Sequence, residues 1–356
     1  MSVTIEPLSV PETVNTEVEE YARVVNASYS HSAGTGILTW EAKNLLAQLQ
    51  NQTYSTSRAY LARDGGRIVG ATSLQFDNST AREAEIMVAV DPAHPDPSLA
   101  DSLYGRIERE AAALGRGLLI DYVPTSADAS RLAESDVIRP PSGVAGVPRG
   151  DARSRILMAR GYELGLVERA SVFERLADAS ELRRILDAAS ADAGSDYEPI
   201  WWSRRTPEEH VDAYAYAVSR MSTDVPSGDI DVDEQTWDAE RIRARDERHA
   251  SVGHLFCVAA VVHRPSAQIV AFNELIVASD RAKPTENGGT LVLSEHRGHR
   301  LGTIVKALGL LRWLEAAPES PAVFTFNAEE NRYMLDVNER VGFRPVFWEG
   351  AWSRQL

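Results

Sequence analysis

Cysteine is almost absent, Cys257 being the only one in 356 residues. No internal disulfide can form, which fits a reducing, cytoplasmic setting and leaves the fold to packing alone. Lysine is nearly as rare: apart from Lys43, Lys283 and Lys306, all of the 37 basic residues are arginine. No run of 18 apolar residues occurs, so no transmembrane helix is expected. The acidic opening MSVTIEPLSVPETVNTEVEEY lacks an apolar segment, and no secretory signal is expected from it. Positive charge is also short, 37 basic against 52 acidic residues for a net −15. That balance argues against nucleic acid or an anionic membrane as partner and favours cationic or neutral small molecules. Several nucleotide and catalytic signatures are missing. There is no Gly-Lys-Ser/Thr phosphate loop, no GxGxxG fingerprint and no G-x-S-x-G elbow. His296 and His299 lie three apart without a matching ligand set, so no metal is expected.

What remains is an ordinary globular composition, 44% hydrophobic and 25% charged. The length suggests two domains at about 100–200 residues each. The acidic excess divides almost evenly between the halves. The Pro- and Gly-rich stretch Asp136–Ala152 reads as a long loop inside the first half. A better boundary lies near Leu176–Ser180, giving domains 1–178 and 179–356. In the first half, a helix over TEVEEYARVVNASYS precedes a hairpin turning at Asp64-Gly65-Gly66. A strand, a helix, the short strand GLLIDYVP, a helix ending at Gly161 and a last strand over Gly165–Leu176 follow. The second half repeats that order. A helix with Thr206 as N-cap leads into the acidic segment Asp224–Glu247. A hairpin turns at Arg264–Ala267, then come a strand, a helix, the strand AVFTFNA, a helix ending at Gly342 and a final strand. The fold class is therefore α/β, two similar domains in tandem, each a mixed sheet flanked by helices.

The most informative stretch is Gly289–Lys306, GTLVLSEHRGHRLGTIVK. An apolar strand enters a short glycine-bearing loop, and a helix is predicted to open at Thr303. The first amides of a helix have no internal partner and carry the positive end of its dipole, so this arrangement suits an anion. A second stretch, Thr325–Phe343 (TFNAEENRYMLDVNERVGF), places Asn331 at a helix start and Gly342-Phe343 at its end.

Together the two stretches resemble the GNAT superfamily of N-acetyltransferases. Arg297 matches the first position of that family's Arg/Gln-x-x-Gly-x-Gly/Ala loop and Gly302 the last, while Asn331 and Gly342-Phe343 match its later signature. The arrangement resembles tandem GNAT proteins of actinobacterial type. The resemblance implies two GNAT-like domains with mostly antiparallel sheets and acetyl-CoA as donor. The amides of Gly298, His299, Arg300, Leu301, Gly302 and Thr303 would hold its pyrophosphate. The strand Leu291, Val292 and Leu293 would pair with its pantetheine arm, and Asn331 would face it. Arg297 joins this cofactor-binding set.

Two departures stand out. Arg300 takes a position where the family has Gly, and Asn338 takes the position that often carries a Tyr general acid. The acid is therefore unassigned. The base is open among Glu274, which interrupts the apolar VAFNELIV strand, Glu286, and His296 beside the loop. In the first half the equivalent loop carries Pro92, Pro95 and Pro97 and no glycine. Proline has no N–H, so that domain is expected to have lost cofactor binding. Trp201-Trp202 could wall a substrate site or pack in the core, and the carboxylates of Asp224–Glu240 could form a lid or a solvated loop. The expected activity is acetyl transfer to a primary amine of a small, cationic molecule, with the oligomeric state open. The alternative is a non-catalytic CoA-binding sensor or scaffold.

Overall fold

The computed structural model describes residues 3–176, 178–224, 230, 233 and 235–356. The first half runs β1 (Thr4–Pro7), α1 (Thr16–Ala33), α2 (Ala42–Gln50), β2 (Ser55–Asp64), β3 (Arg67–Asp77), β4 (Glu83–Val90), α3 (Pro97–Ala113), β5 (Leu118–Thr125), the two-residue strands β6 (Val137–Ile138) and β7 (Val147–Pro148), α4 (Ala152–Ala159) and β8 (Glu163–Glu174). The second runs α5 (Ser180–Ala193), β9 (Tyr197–Ser203), α6 (Val211–Ser219), the single turn α7 (Met221–Asp224), α8 (Ala239–Ser251), β10 (Leu255–His263), β11 (Gln268–Val277), β12 (Thr285–Val292), α9 (Leu301–Ala316), β13 (Ala322–Ala328), α10 (Arg332–Val341) and β14 (Arg344–Gln355).

Local chemistry explains most of these boundaries. Asn15 caps α1 by accepting from the Val18 amide at 3.0 Å, and Gly34 ends it in the left-handed region. Gly65 and Gly66 both take positive φ, as a tight hairpin turn demands. Four readings of the sequence are corrected. The Asp136–Ala152 loop contains the small ladder of β6 and β7. Thr206 does not cap a helix. It is buried and gives its amide to Asp246 at 2.8 Å, and α6 opens at Val211 after a 3-10 turn over Glu208–His210. Helix α9 opens at Leu301, two residues before Thr303. Finally, α8 occupies ground read as part of an acidic segment, capped by Asp238. Of the proposed lid Asp224–Glu240, residues 225–229, 231, 232 and 234 lie outside the described residues.

Among the described residues, ten helices flank one twelve-stranded sheet of order β1-β2-β3-β4-β5-β14-β8-β13-β12-β11-β10-β9. Every pairing is antiparallel except β4 with β5 and β12 with β13. The halves exchange their last strands: β14 pairs with β5 of the first half, and β8 with β13 of the second. Each exchanged strand carries an aromatic side chain across. Trp352 completes the core under β2–β5 and α3, and Phe173 completes the one around Trp313 and Phe343. Burying a side chain of this size is worth roughly 1.5–3 kcal/mol, so neither half has a full core by itself. At the centre Glu168 and Glu349 stand opposite each other. Burial raises both, Glu168 to about 7 with Glu85 adding to it and Glu349 to about 8 with Glu168 adding to it, and Tyr29 donates to Glu349.

The two parallel pairs are short and then part. β12 and β13 pair only at Thr285–Val323 and Glu286–Phe324, and β4 and β5 at Glu83–Ile86 with Leu118–Asp121. Each half therefore contains a fork, with one strand's backbone unpaired beyond it.

Candidate functional site

The fork of the second half leads from Glu286 along β12 to the loop before α9. Beside Glu274 the pairing of β12 with β11 shifts register, because Gly288 and Gly289 take the place of one residue. A Cβ at Gly289 would lie 3.0 Å from the Glu274 carboxylate and 3.1 Å from the Phe272 ring, so a side chain there would require these neighbours to give way. Leu291, Val292 and Leu293 continue this strand into a 3-10 turn over Ser294–His296. Gly298 then takes φ +88° and Arg300 φ +59°, and α9 begins. Helix α9 has no side-chain cap. Ile304 is the first residue whose amide finds an acceptor, the Arg300 carbonyl at 3.1 Å. The amides of Gly298, His299, Arg300, Leu301, Gly302 and Thr303 have no acceptor among the described residues. Six consecutive free donors at the positive end of a helix form a cradle for an anion such as a diphosphate. A Cβ on Gly302 would make only ordinary contacts with Val292, Val337 and Tyr333.

The side chains of the loop turn away from those amides. Arg297 donates to the Asp224 carbonyl at 2.9 Å and lies 3.4 Å from the Val292 carbonyl. Arg300 reaches Asp192 at 3.7 Å. His296 bonds Tyr197 at 3.1 Å and packs against His263, and burial lowers its pKa. Asn331 caps α10, its side-chain oxygen accepting from the Met334 amide at 3.2 Å. Asn338 is buried and donates to Asn327 at 2.6 Å, but its own oxygen has no hydrogen-bond partner among the described residues. An orphaned buried acceptor beside the fork suits an amide-bearing ligand arm, since leaving it unpaired costs about 1–3 kcal/mol.

The three candidate bases part company. Glu274 is buried and locked, accepting from Tyr214, from Arg245 at 2.9 Å and from the Gly289 amide at 3.1 Å. His296 lies beyond the end of β12, roughly 20 Å from the fork at about 3.3 Å per residue. Glu286 is the last residue paired before the strands part. It has no ion pair among the described residues, and surrounding protein together with Glu274 raises its pKa. Under the fork, Lys306 is wholly buried, donates to Asn287 at 2.7 Å, and is pushed down by burial to about 7. It was not singled out from sequence, where one lysine on a helix carries no signal.

The fork of the first half is closed. Arg153 of α4 reaches into it and donates to the Val88 carbonyl of β4 at 2.8 Å, supported by Tyr104 and Asp121. Asp96 caps α3, taking both the amide and the hydroxyl of Ser98. Asp91 takes the Ala93 amide at 2.9 Å and pairs with Arg23 and Arg67. Trp202 belongs to the core against Tyr214, and Cys257 is buried. Among the described residues no group of His, Cys, Asp or Glu is arranged to hold a metal, and no helix is long and apolar enough to cross a membrane.

The chain matches no family model and no curated protein. Solved structures do match. A tandem GNAT protein from the clavulanic acid biosynthesis pathway, solved without AcCoA, is similar over 99% of this chain and 98% of its own, at 22% identity and a TM-score of 0.70. A GCN5-related N-acetyltransferase from Sphaerobacter thermophilus is similar over 99% and 95%, at 13% identity and 0.62. A putative acetyltransferase from Pyrococcus horikoshii is similar over 99% and 89%, at 11% and 0.53. The fold is that of the GNAT acetyltransferases, in tandem.

Proposed function

We propose that this tandem GNAT chain transfers an acetyl group from acetyl-CoA to the primary amine of a small molecule, in its second half. The observation that carries the reading is the uncapped N terminus of α9 beside the open fork of β12 and β13. The amides of Gly298–Thr303 would take the diphosphate, the free edge of β12 the pantetheine amides, and the Asn338 oxygen one donor of that arm. These residues fit the group, and holding both reactants in one cleft is worth several kcal/mol, about 7 or more in well-oriented cases.

In direct attack the amine nitrogen forms a bond to the thioester carbonyl carbon, and the C–S bond breaks with its electron pair left on sulfur. The proton lost by nitrogen goes to a base. Glu286 is placed for this, directly or through water, and its raised pKa brings it nearer the operating pH. Glu274 and His296 are set aside, one by its ion pair and the other by its distance. Asn338 donates no proton, but a thiol with a pKa near 8.5 leaves as thiolate with little assistance. A Tyr at that position is therefore not required. The carboxylates facing the cleft favour an acceptor with a positive charge.

Calorimetric titration of acetyl-CoA into the whole protein, with Gly302→Pro beside it, tests the binding. One site per chain, lost in the still-folded variant, is the expected result. The competing sensor reading takes its support from Asn338, and amine-dependent thiol release separates the two: a sensor binds CoA and releases none.

A further inference from the structure

A cavity of about 430 Å³ lies between the halves. One wall is α8, which presents Arg241, Arg245 and Arg248 at helical spacing on one face. The opposite wall comes from the first half and includes Glu83 and Glu85.

The three arginines differ in how far they are satisfied. Arg241 pairs with Asp77, donates to the Thr236 carbonyl at 2.6 Å and stacks on Trp237. Arg245 uses one nitrogen on Glu274, and its side chain is only 9% exposed. Its Nε and second terminal nitrogen have no hydrogen-bond partner among the described residues, although the guanidinium lies over the Tyr214, Trp237 and Phe256 rings. Arg248 has no ion pair or hydrogen bond to its guanidinium among the described residues, and burial with its two neighbours lowers its pKa. A buried guanidinium with idle N–H groups is costly, and an oxyanion is the ligand that satisfies it in two parallel bonds.

Position ties this wall to the fork. Arg245 is separated from the Gly289 bulge only by the Glu274 carboxylate. Strand register puts Glu274 and Glu286 on one face of the sheet, together with Glu85, Glu168 and Glu349. A dianion would be repelled by that face. A molecule with one oxyanion for the arginines and an ammonium for the carboxylates would not.

We propose that the cavity binds a carboxylate-bearing amine, its carboxylate on Arg245 and Arg248, so that the acetyl acceptor is of amino-acid type and not a simple polyamine. Naming that ligand as acceptor rests on the transferase reading above; the site itself does not.

The test uses matched probes, L-lysine against cadaverine and L-ornithine against putrescine, with the full chain. Calorimetry without acetyl-CoA measures binding, and thiol release with acetyl-CoA measures transfer. The amino acids are expected to bind at least about tenfold tighter than their decarboxylated twins, and Arg248→Gln to remove that difference. The Arg248 guanidinium holds no other group among the described residues, so the variant is expected to keep its melting temperature. Equal binding of the twins, a preference unchanged in Arg248→Gln, or no binding of either amino acid at millimolar concentration overturns the site. Arg248-dependent binding without thiol release leaves the site standing and removes the transferase reading instead.

Discussion

Helices α3 and α9 hold equivalent places in the two halves, and their N termini are used in opposite ways. At α3 the chain supplies its own anions: Asp96 takes the Ser98 amide, and Asp91 takes that of Ala93. The neighbouring fork is closed by Arg153 on the Val88 carbonyl. At α9, among the described residues, no side chain caps the helix, six amides have no acceptor, and Asn338 leaves an acceptor unpaired by the fork. Both halves share one architecture and one sheet, so the difference is chemical. A helix terminus satisfied from within gains about 1 kcal/mol of stability and loses its use as a binding site. The second half forgoes that stabilisation.

Exchanging these chemistries should exchange the properties. The largest effect is expected for Arg300→Asp, which gives α9 the acidic cap that α3 has. Acetyl-CoA affinity by calorimetry should fall about 100-fold. The fold should hold, because the Arg300–Asp192 pair is exposed on both sides and worth little. An unchanged affinity would place the diphosphate elsewhere.

Glu286→Gln comes next. Steady-state thiol release at neutral pH should drop about 100-fold in kcat, with acetyl-CoA affinity intact. If kcat is retained, another group takes the proton.

A smaller effect is expected at the junction. Glu349 has its pKa raised to about 8, so its contribution to stability is present below about 4.5 and lost as pH rises through about 8. Glu349→Gln should melt higher than the parent at pH 9 and show little gain at pH 5. A gain of about 1 kcal/mol corresponds to roughly 2 °C in a chain of this size. Equal shifts at both pH values would mean that Glu349 is ionised alike in both.

The smallest effect belongs to Asp96→Ala. Losing the α3 cap should cost about 1 kcal/mol in denaturant unfolding and create no second acetyl-CoA site. Pro92, Pro95 and Pro97 still lack N–H groups, and Arg153 still closes the fork. Binding of two acetyl-CoA per chain would show that the cap alone distinguishes the halves.

Much of the second half was legible from residues close together in the chain. The run Arg297–Gly302 and the pair Gly342-Phe343 announce local geometry, because a loop and the helix after it are set by neighbours in sequence. The prolines of the first half were equally readable. The arginine wall was not, although Asp238 as a cap and arginines at 241, 245 and 248 were available as a helix signal. The lack of an apolar stripe hid it, Ile242 being the one wholly apolar side chain buried by that helix. The roles of Glu274 and Glu286 could not be separated either. Each interrupts or borders an apolar strand, and only Arg245, more than twenty residues away, decides which carboxylate is already paired.

By itself the sequence determined the alternation of helices and strands, the free helix terminus and the loss of amide donors in the first half, since those follow from backbone chemistry within a few residues. Tertiary structure decided the exchange of β8 and β14, the plug of Arg153 and the cavity between the halves. Each of these joins residues far apart in the chain, and whether a buried charge is paired or idle depends on what packing brings beside it.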